Sequence, residues 1–518
     1  MKLAPVCLAL FGLSLPALAD AVVYPTGDPT QDVPAVRAAV QAGGTVLLKA
    51  VDVEGEPQVF DFGDFPVGPI NWNEAGSGYV PLGTSGEIVA IVTDGPVFFL
   101  SLGNDVHLLG ETVGDAKTTI QGGTIPVRNL APLQPGSTAL VVGVGNLTVE
   151  GIRFTESALQ PVYLTQLASF PEVRAFAAEL GLDLEIKIKD NAFVDTQPAL
   201  TFLWLSQAAM ADGPLGRVSI ADNVLQLTLG RWDEELRTYE LEHGLNGPLP
   251  ELREGLTIAD LYAPGTLTGN RVQNVDVGLH VWFEGSDSVR IADNTVELRE
   301  NGLYGIALEA NHRYVVERNT VIAPGRFPDG ISLWASDPTV GINHSTIRHN
   351  KIVMDGSDFG GITLYTGGSD NVFSHNVVEG SAAYALGLAS PFLPAVFFAT
   401  GNTFRGNKIH RFTPRDSSFW GSGAHILFDE NAIGNVLLGW SGIVKDLGTD
   451  NSATGWNNRG TGHREARRTA FAAAGPGAKH DLVPPLRPQG VHRDTVPRKA
   501  PPTRTAPGRD DAVPLGEK

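Results

Sequence analysis

From Gly255 onward the chain repeats a short unit in which apolar positions alternate with polar or small ones behind a glycine. The copies read Gly255-Leu256-Thr257-Ile258, Gly278-Leu279-His280-Val281, Gly305-Ile306-Ala307-Leu308, Gly330-Ile331-Ser332-Leu333 and Gly361-Ile362-Thr363-Leu364, with looser copies at Ala385 and Gly423. Alternation with a period of two predicts strands. A second β-type run between the copies ends in an Asn ahead of an apolar residue, at Asn294, Asn319, Asn350 and Asn376. The first five glycines are 23, 27, 25 and 31 residues apart. Short strands at such a period, with no helix between them, have few packing solutions. One is a coil of parallel strands in which each turn pairs with the next at ~4.8 Å, a parallel β-helix. Repeated Asn at a tight turn fits it, because stacked amides bond along the axis and Asn tolerates the left-handed backbone region. Asn146, Asn191, Asn223, Asn270, Asn407 and Asn435 extend the array on both sides.

Ahead of the repeat, Thr30 and Asp32 precede Val33, Val36, Ala39 and Val40 as a cap-type start to a short amphipathic helix, with Pro34 in its first turn and Gly43-Gly44 at its end. Thr45 to Leu48 then reads as a strand, followed by β-rich runs at Ile88 to Thr93, Val97 to Leu100, Val106 to Leu109 and Thr118 to Gln121.

Composition supports one long repeat rather than several globular units. The 518 residues include 60 glycines, too few for collagen and too many for a helical protein. The first 19 residues carry Lys2, an apolar run from Leu8 to Leu15 and the small-x-small sequence Ala17-Leu18-Ala19, which predicts a secretory signal peptide and an exported protein, periplasmic or extracellular. Cys7, the single cysteine, lies within it. No later segment offers the ~20 apolar residues of a membrane helix, so no membrane insertion is expected. Residues 20–455 read as the β-helix domain, and 456–518 as a disordered, Pro-rich basic tail with 12 Lys and Arg against 6 Asp and Glu. The remainder holds 26 basic and 51 acidic residues, which speaks against nucleic acid as a partner and disfavours an anionic polymer.

The segment Asp32 to Leu48, a short helix followed by Gly-Gly-Thr-Val-Leu-Leu, together with the Asn-x-apolar coils, resembles the pectate-lyase-like right-handed parallel β-helix proteins over about Asp32 to Leu438. The resemblance is to the superfamily, without any one enzyme family's catalytic motif. It implies an all-β right-handed solenoid with an N-terminal capping helix. It also implies a substrate groove along the Gly-led strands, walled by loops at their start. Arg231 to Glu254, acidic and helix-like, is inserted just before Gly255, as a lid or wall beside that groove or as a solvated surface helix.

Alternation within the Gly-led strands points two columns outward. One holds Thr257, His280, Ala307, Ser332, Thr363, Gly387 and His425, the other Ala259, Trp282, Glu309, Trp334, Tyr365, Ala389 and Leu427. Exposed Trp and Tyr faces stack on sugar rings, so Trp282, Trp334 and Tyr365 are candidate platforms and a polysaccharide or cell-surface glycan the candidate partner. The alternative is that a loop covers the rings as a satellite apolar cluster. Hydrolysis needs two carboxyl groups, ~5 Å apart for retention and ~6.5 to 9.5 Å for inversion. Glu309 is the candidate acid, with Asp329 or Glu284 as base or nucleophile. No cofactor is expected for hydrolysis; elimination on a uronate would instead draw on His280, His312, Arg313 and Arg326, where a Ca2+ held by Asp residues could offset the acidic field. Hydrolysis ranks above elimination for so acidic a chain, and a non-catalytic glycan- or partner-binding β-helix is the second hypothesis. His349 and His375 share a turn position in adjacent coils, but two imidazoles alone do not define a metal site.

Overall fold

The computed structural model describes residues 21–62, 98–102, 106–122, 139–144, 146–155, 164–166, 184–195, 216–227, 254–261, 265–283, 289–309, 313–334, 341–365, 367–389, 398–421, 423–439 and 442–454. The expected signal peptide, the insertion up to residue 253, the run Ile88 to Thr93 and the C-terminal tail lie outside them.

The chain is a right-handed parallel β-helix. Its first face carries fourteen described strands stacked in chain order, from Ala21–Val23 through Gly44–Leu48, Val289–Ala292 and Thr346–Arg348 to Ser452–Thr454. A second face runs from Phe60–Asp61 through Thr295–Leu298 and Thr320–Pro324 to Lys408–Pro414, and the third holds the Gly-led strands. Two long strands, Lys351–Leu364 and Val377–Leu388, continue around the corner from the second face to the third. The apolar positions of the repeat stack inward in register, Leu279 on Ile306, Ile331, Ile362 and Leu386, and Val281 on Leu308, Leu333, Leu364 and Leu388, all buried. Aromatic residues stack likewise: the rings of Phe373 and Phe404 lie 4.6 Å apart and 6° from parallel.

The Asn array is a continuous ladder. Each amide nitrogen donates to the next side-chain oxygen and to a carbonyl of the previous coil, in series from Asn191 through Asn223, Asn270, Asn294, Asn319, Asn350 and Asn376 to Asn407. Two details differ from the sequence expectation. The left-handed backbone falls on the residue before each Asn, as at Asp293, Arg318, His349 and His375, because the Asn must aim its amide along the axis. Asn146 and Asn435 belong to the opposite corner, ahead of the first-face strand, where Asn371, Asn402, Asn435 and Asn451 form a second ladder and Asn146 accepts from Glu185 N–H.

The helix spans Pro29–Ala42. Its cap is Asp28, whose carboxylate accepts from Thr30 N–H at 2.9 Å, rather than Thr30 or Asp32. Asp32 is buried and accepts from the backbone N–H groups of Thr26, Gly27 and Asp61, tying the helix to the first turns of the coil. Val33, Val36 and Val40 close the end of the core.

Candidate functional site

The third face brings the candidate residues together. Register pairs Trp282 with Glu309 and Glu309 with Trp334, and His280 with Ala307, Ser332 and Thr363 in turn. Three members of the expected columns move. A bulge between Ile258 and Leu261 takes Ala259 out of line. Leu427 falls opposite Gly387, in the place expected for His425, because Gly423 packs against the Arg415 backbone instead of forming the corner glycine.

The columns are not open along their length. His280, Ala307, Ser332 and Thr363 point away from the core yet are buried, and Tyr365, expected as an exposed platform, is 1% exposed. Part of the cover comes from the segment Ser417–Gly421. Ser417 Oγ donates to Asp358 O at 2.9 Å, Phe419 meets Phe359 at 5.0 Å, and Trp420 sets its ring edge-on to Tyr384 at 5.5 Å. Trp420, Ala383, Tyr384, Ala389 and Leu427 then form a separate apolar cluster. Among the described residues, this cluster contains neither Trp334 nor Tyr365 of the expected platform rings.

Trp334 and Glu309 are the partly exposed members of the second column among the described residues. Trp334 is partly exposed, stacks on Tyr365 at 4.2 Å and 21°, and meets the edge of Tyr304 at 5.9 Å. Its register neighbour Glu309, with 21% of its side chain exposed, lies 3.3 Å from Nε2 of the buried His280.

Behind this step lies Asp329, 2% exposed. Its Oδ2 accepts from Tyr365 Oη at 2.5 Å; its Oδ1 accepts from Gly360 N–H at 2.9 Å and Thr363 Oγ at 3.2 Å. Thr363 Oγ also meets Tyr384 Oη at 3.2 Å. Buried Ser332 Oγ lies beside the same carboxyl, short of ordinary hydrogen-bond geometry. Burial pushes Asp329 up to about 7, against the downward pull of the Tyr365, Gly360 and Thr363 hydrogen bonds. Burial likewise raises Tyr304, Tyr365 and Tyr384, which stay neutral.

Glu309 and Asp329 therefore have separate partners, His280 for one and the tyrosines for the other, with Tyr304 in the field of both. Glu284 and His312 lie outside the described residues, and only the register of Trp282 is described. Arg313 is exposed in a left-handed turn at the corner ahead of Tyr314. Arg326 donates to Asp358 at 2.6 Å. The expected pattern omitted Tyr304, Gly360 and Tyr384. These belong to one further column, the position before each corner residue, where Tyr304 pairs with Asp329 and Gly360 with Tyr384. A Cβ on Gly360 would lie 2.1 Å from the Tyr384 ring, so only glycine lets that ring pass and brings the N–H to Asp329.

The family model described as NosD, periplasmic copper-binding protein, matches residues 253–436, the coils that carry this site. Its periplasmic description agrees with an exported protein. A comparison with curated proteins gives no match. Among solved structures, tailspike protein 3 of bacteriophage CBA120 is 10% identical with a TM-score of 0.34, covering 86% of this chain; the chain spans 64% of that protein's length. The A-module of the mannuronan C-5 epimerase AlgE6 of Azotobacter vinelandii is 12% identical with a TM-score of 0.25, covering 83% of this chain and 95% of the module.

The described coils do not fit a resident copper centre. They hold no group of three His, Cys, Asp or Glu side chains placed to share an ion. The His349 and His375 rings stack at 5.0 Å and 17°, so their in-plane lone pairs run alongside each other instead of converging on one point.

Proposed function

We propose that the protein is an exported carbohydrate-active β-helix that engages a glycan chain across the partly exposed Trp334 and Glu309 step of its third face, with Trp334 as the sugar platform. The observation that carries this reading is the backed aromatic step: a partly exposed indole fixed by a buried tyrosine face at 4.2 Å and a second tyrosine edge at 5.9 Å. A rigid ring loses little freedom when a sugar stacks on it, and Glu309 beside it supplies an acceptor for sugar hydroxyls. No nucleic-acid partner is proposed, and no described helix is long and apolar enough to cross a membrane.

Cleavage of the bound chain is a second reading, favoured by the Glu309–His280 pair at 3.3 Å at the platform's edge. In it Glu309 acts as acid or base and His280 holds its proton balance. Asp329 is poorly placed as the second carboxyl, since both its oxygens already accept hydrogen bonds inside the cluster.

A screen of neutral and uronate glycans, scored for retention and for chain shortening, tests both. Retention by the wild-type protein is expected to fall by roughly tenfold or more in Trp334→Ala, the loss of one good stacking contact. Unchanged retention in that variant would remove the platform. Shortened products that vanish in Glu309→Gln support cleavage, and retention without any product supports binding alone.

A further inference from the structure

Asp329 has no direct path to a ligand on the platform. It is buried, and its oxygens face Tyr365, Gly360 and Thr363. Tyr304 adjoins both Asp329 and Trp334, but the hydrogen-bonded route from the carboxyl to the platform runs through Tyr365. Tyr365 donates its hydroxyl to Asp329 and presents its ring to Trp334, so the same residue is anchored at one end and supports the platform at the other.

We propose that Asp329 is a positioning residue for this platform: acting through the Tyr365 hydroxyl it locks the ring beneath Trp334, and glycan retention weakens as the pH falls below neutral. The inference rests on the platform reading above. An ionised carboxylate only accepts, so three donors converge on it and hold Tyr365 in one position. The protonated acid carries a hydrogen of its own, gives up one acceptor direction and competes with the Tyr365 hydroxyl. Burial places this change near pH 7.

The titratable groups packed around the carboxyl are tyrosines from three coils: Tyr304 before it, Tyr365 after it and Tyr384 beyond. All three stay neutral across this range. Glu309 acts on Tyr304 from the far side and pairs with His280, and Asp429 acts on Tyr384. The imidazole is the group whose titration must be separated from that of Asp329.

The experiment follows tryptophan fluorescence of the full chain from pH 5 to 9, taking the difference between wild type and Trp334→Phe to isolate the platform. One transition centred near pH 7 is expected, lost in Asp329→Asn and in Tyr365→Phe; the latter keeps the ring and removes only the hydroxyl. Retention of a glycan found in the screen should fall roughly tenfold between pH 8 and pH 6 in the wild type and stay level in both variants. A flat wild-type trace, or a transition that persists in Asp329→Asn and so belongs to His280, overturns the proposal. If Asp329→Asn does not fold, Tyr365→Phe alone decides it. A protein that retains no glycan at any pH removes the functional reading, while the fluorescence transition still settles the positioning role.

Discussion

At the residue scale, the carboxyl of Asp329 costs the fold stability when ionised. Folding raises it from 3.8 to about 7, so between those values the native state keeps a proton that the unfolded chain has released. The residue's contribution is therefore most favourable below about pH 4 and is lost as the pH rises to 7. Asp329→Asn should remove that slope. Measured by urea unfolding at pH 4.5 and 8, the gap between wild type and variant should shift by about 3 kcal/mol in the variant's favour at the higher pH. An unchanged gap would mean that the carboxyl titrates as an exposed acid. Asp329 was visible in the sequence as an acid before a corner glycine, but the donors to its carboxyl, Gly360, Thr363 and Tyr365, lie some thirty residues further on, in the next coil. Chain separation, not residue type, hid its role.

At the scale of the coil, the Asn ladder and the corner glycine do different work. Asn319 accepts from Asn294 N–H and its amide, and donates to Ile291 O and to Asn350. Removing it leaves four buried polar groups short of a partner at once. Asn319→Ala should cost roughly 3 kcal/mol in chemical denaturation, several times an exposed Asn→Ala change. Gly305 works by absence: a Cβ there would lie 2.2 Å from Val321 Cγ1 and 2.5 Å from the carbonyl oxygen of Gly330, the next corner glycine. The repeat was legible because both constraints recur once per coil and leave the same residue at each turn. The second ladder was not separated from the first, since Asn435 and Asn407 have similar local sequence and differ in which end of the first-face strand they flank.

For the molecule as a whole, the ends of the coil are the vulnerable places, because a parallel stack has an open row of backbone groups wherever it stops, and the helix Pro29–Ala42 packs at the first of them. Val36 in the capping helix is fully buried against that end. Val36→Asp should destabilise the protein by roughly 3 kcal/mol by burying an unpaired charge, and should yield end-to-end oligomers in sedimentation velocity runs. A variant that stays as the wild type, in stability and in size, would show that the helix does not guard the edge.

The sequence by itself determined the architecture, the stacking partners along the inward columns of the Gly-led strands and the Asn ladder at one corner, because each depends on a local period that the coils repeat; the capping helix was legible from its own apolar spacing. It also placed Trp334, Glu309 and His280 on one face. Only the tertiary structure decided which outward positions stay open. Tyr365 and Thr363 alternate outward like their neighbours yet are buried, and a segment some fifty residues later in the chain, Ser417–Gly421, joins the packing around the nearby Phe359 and Tyr384. Alternation fixes the direction of a side chain relative to its own strand; whether that direction ends in water depends on non-repeating loops, whose positions no period encodes.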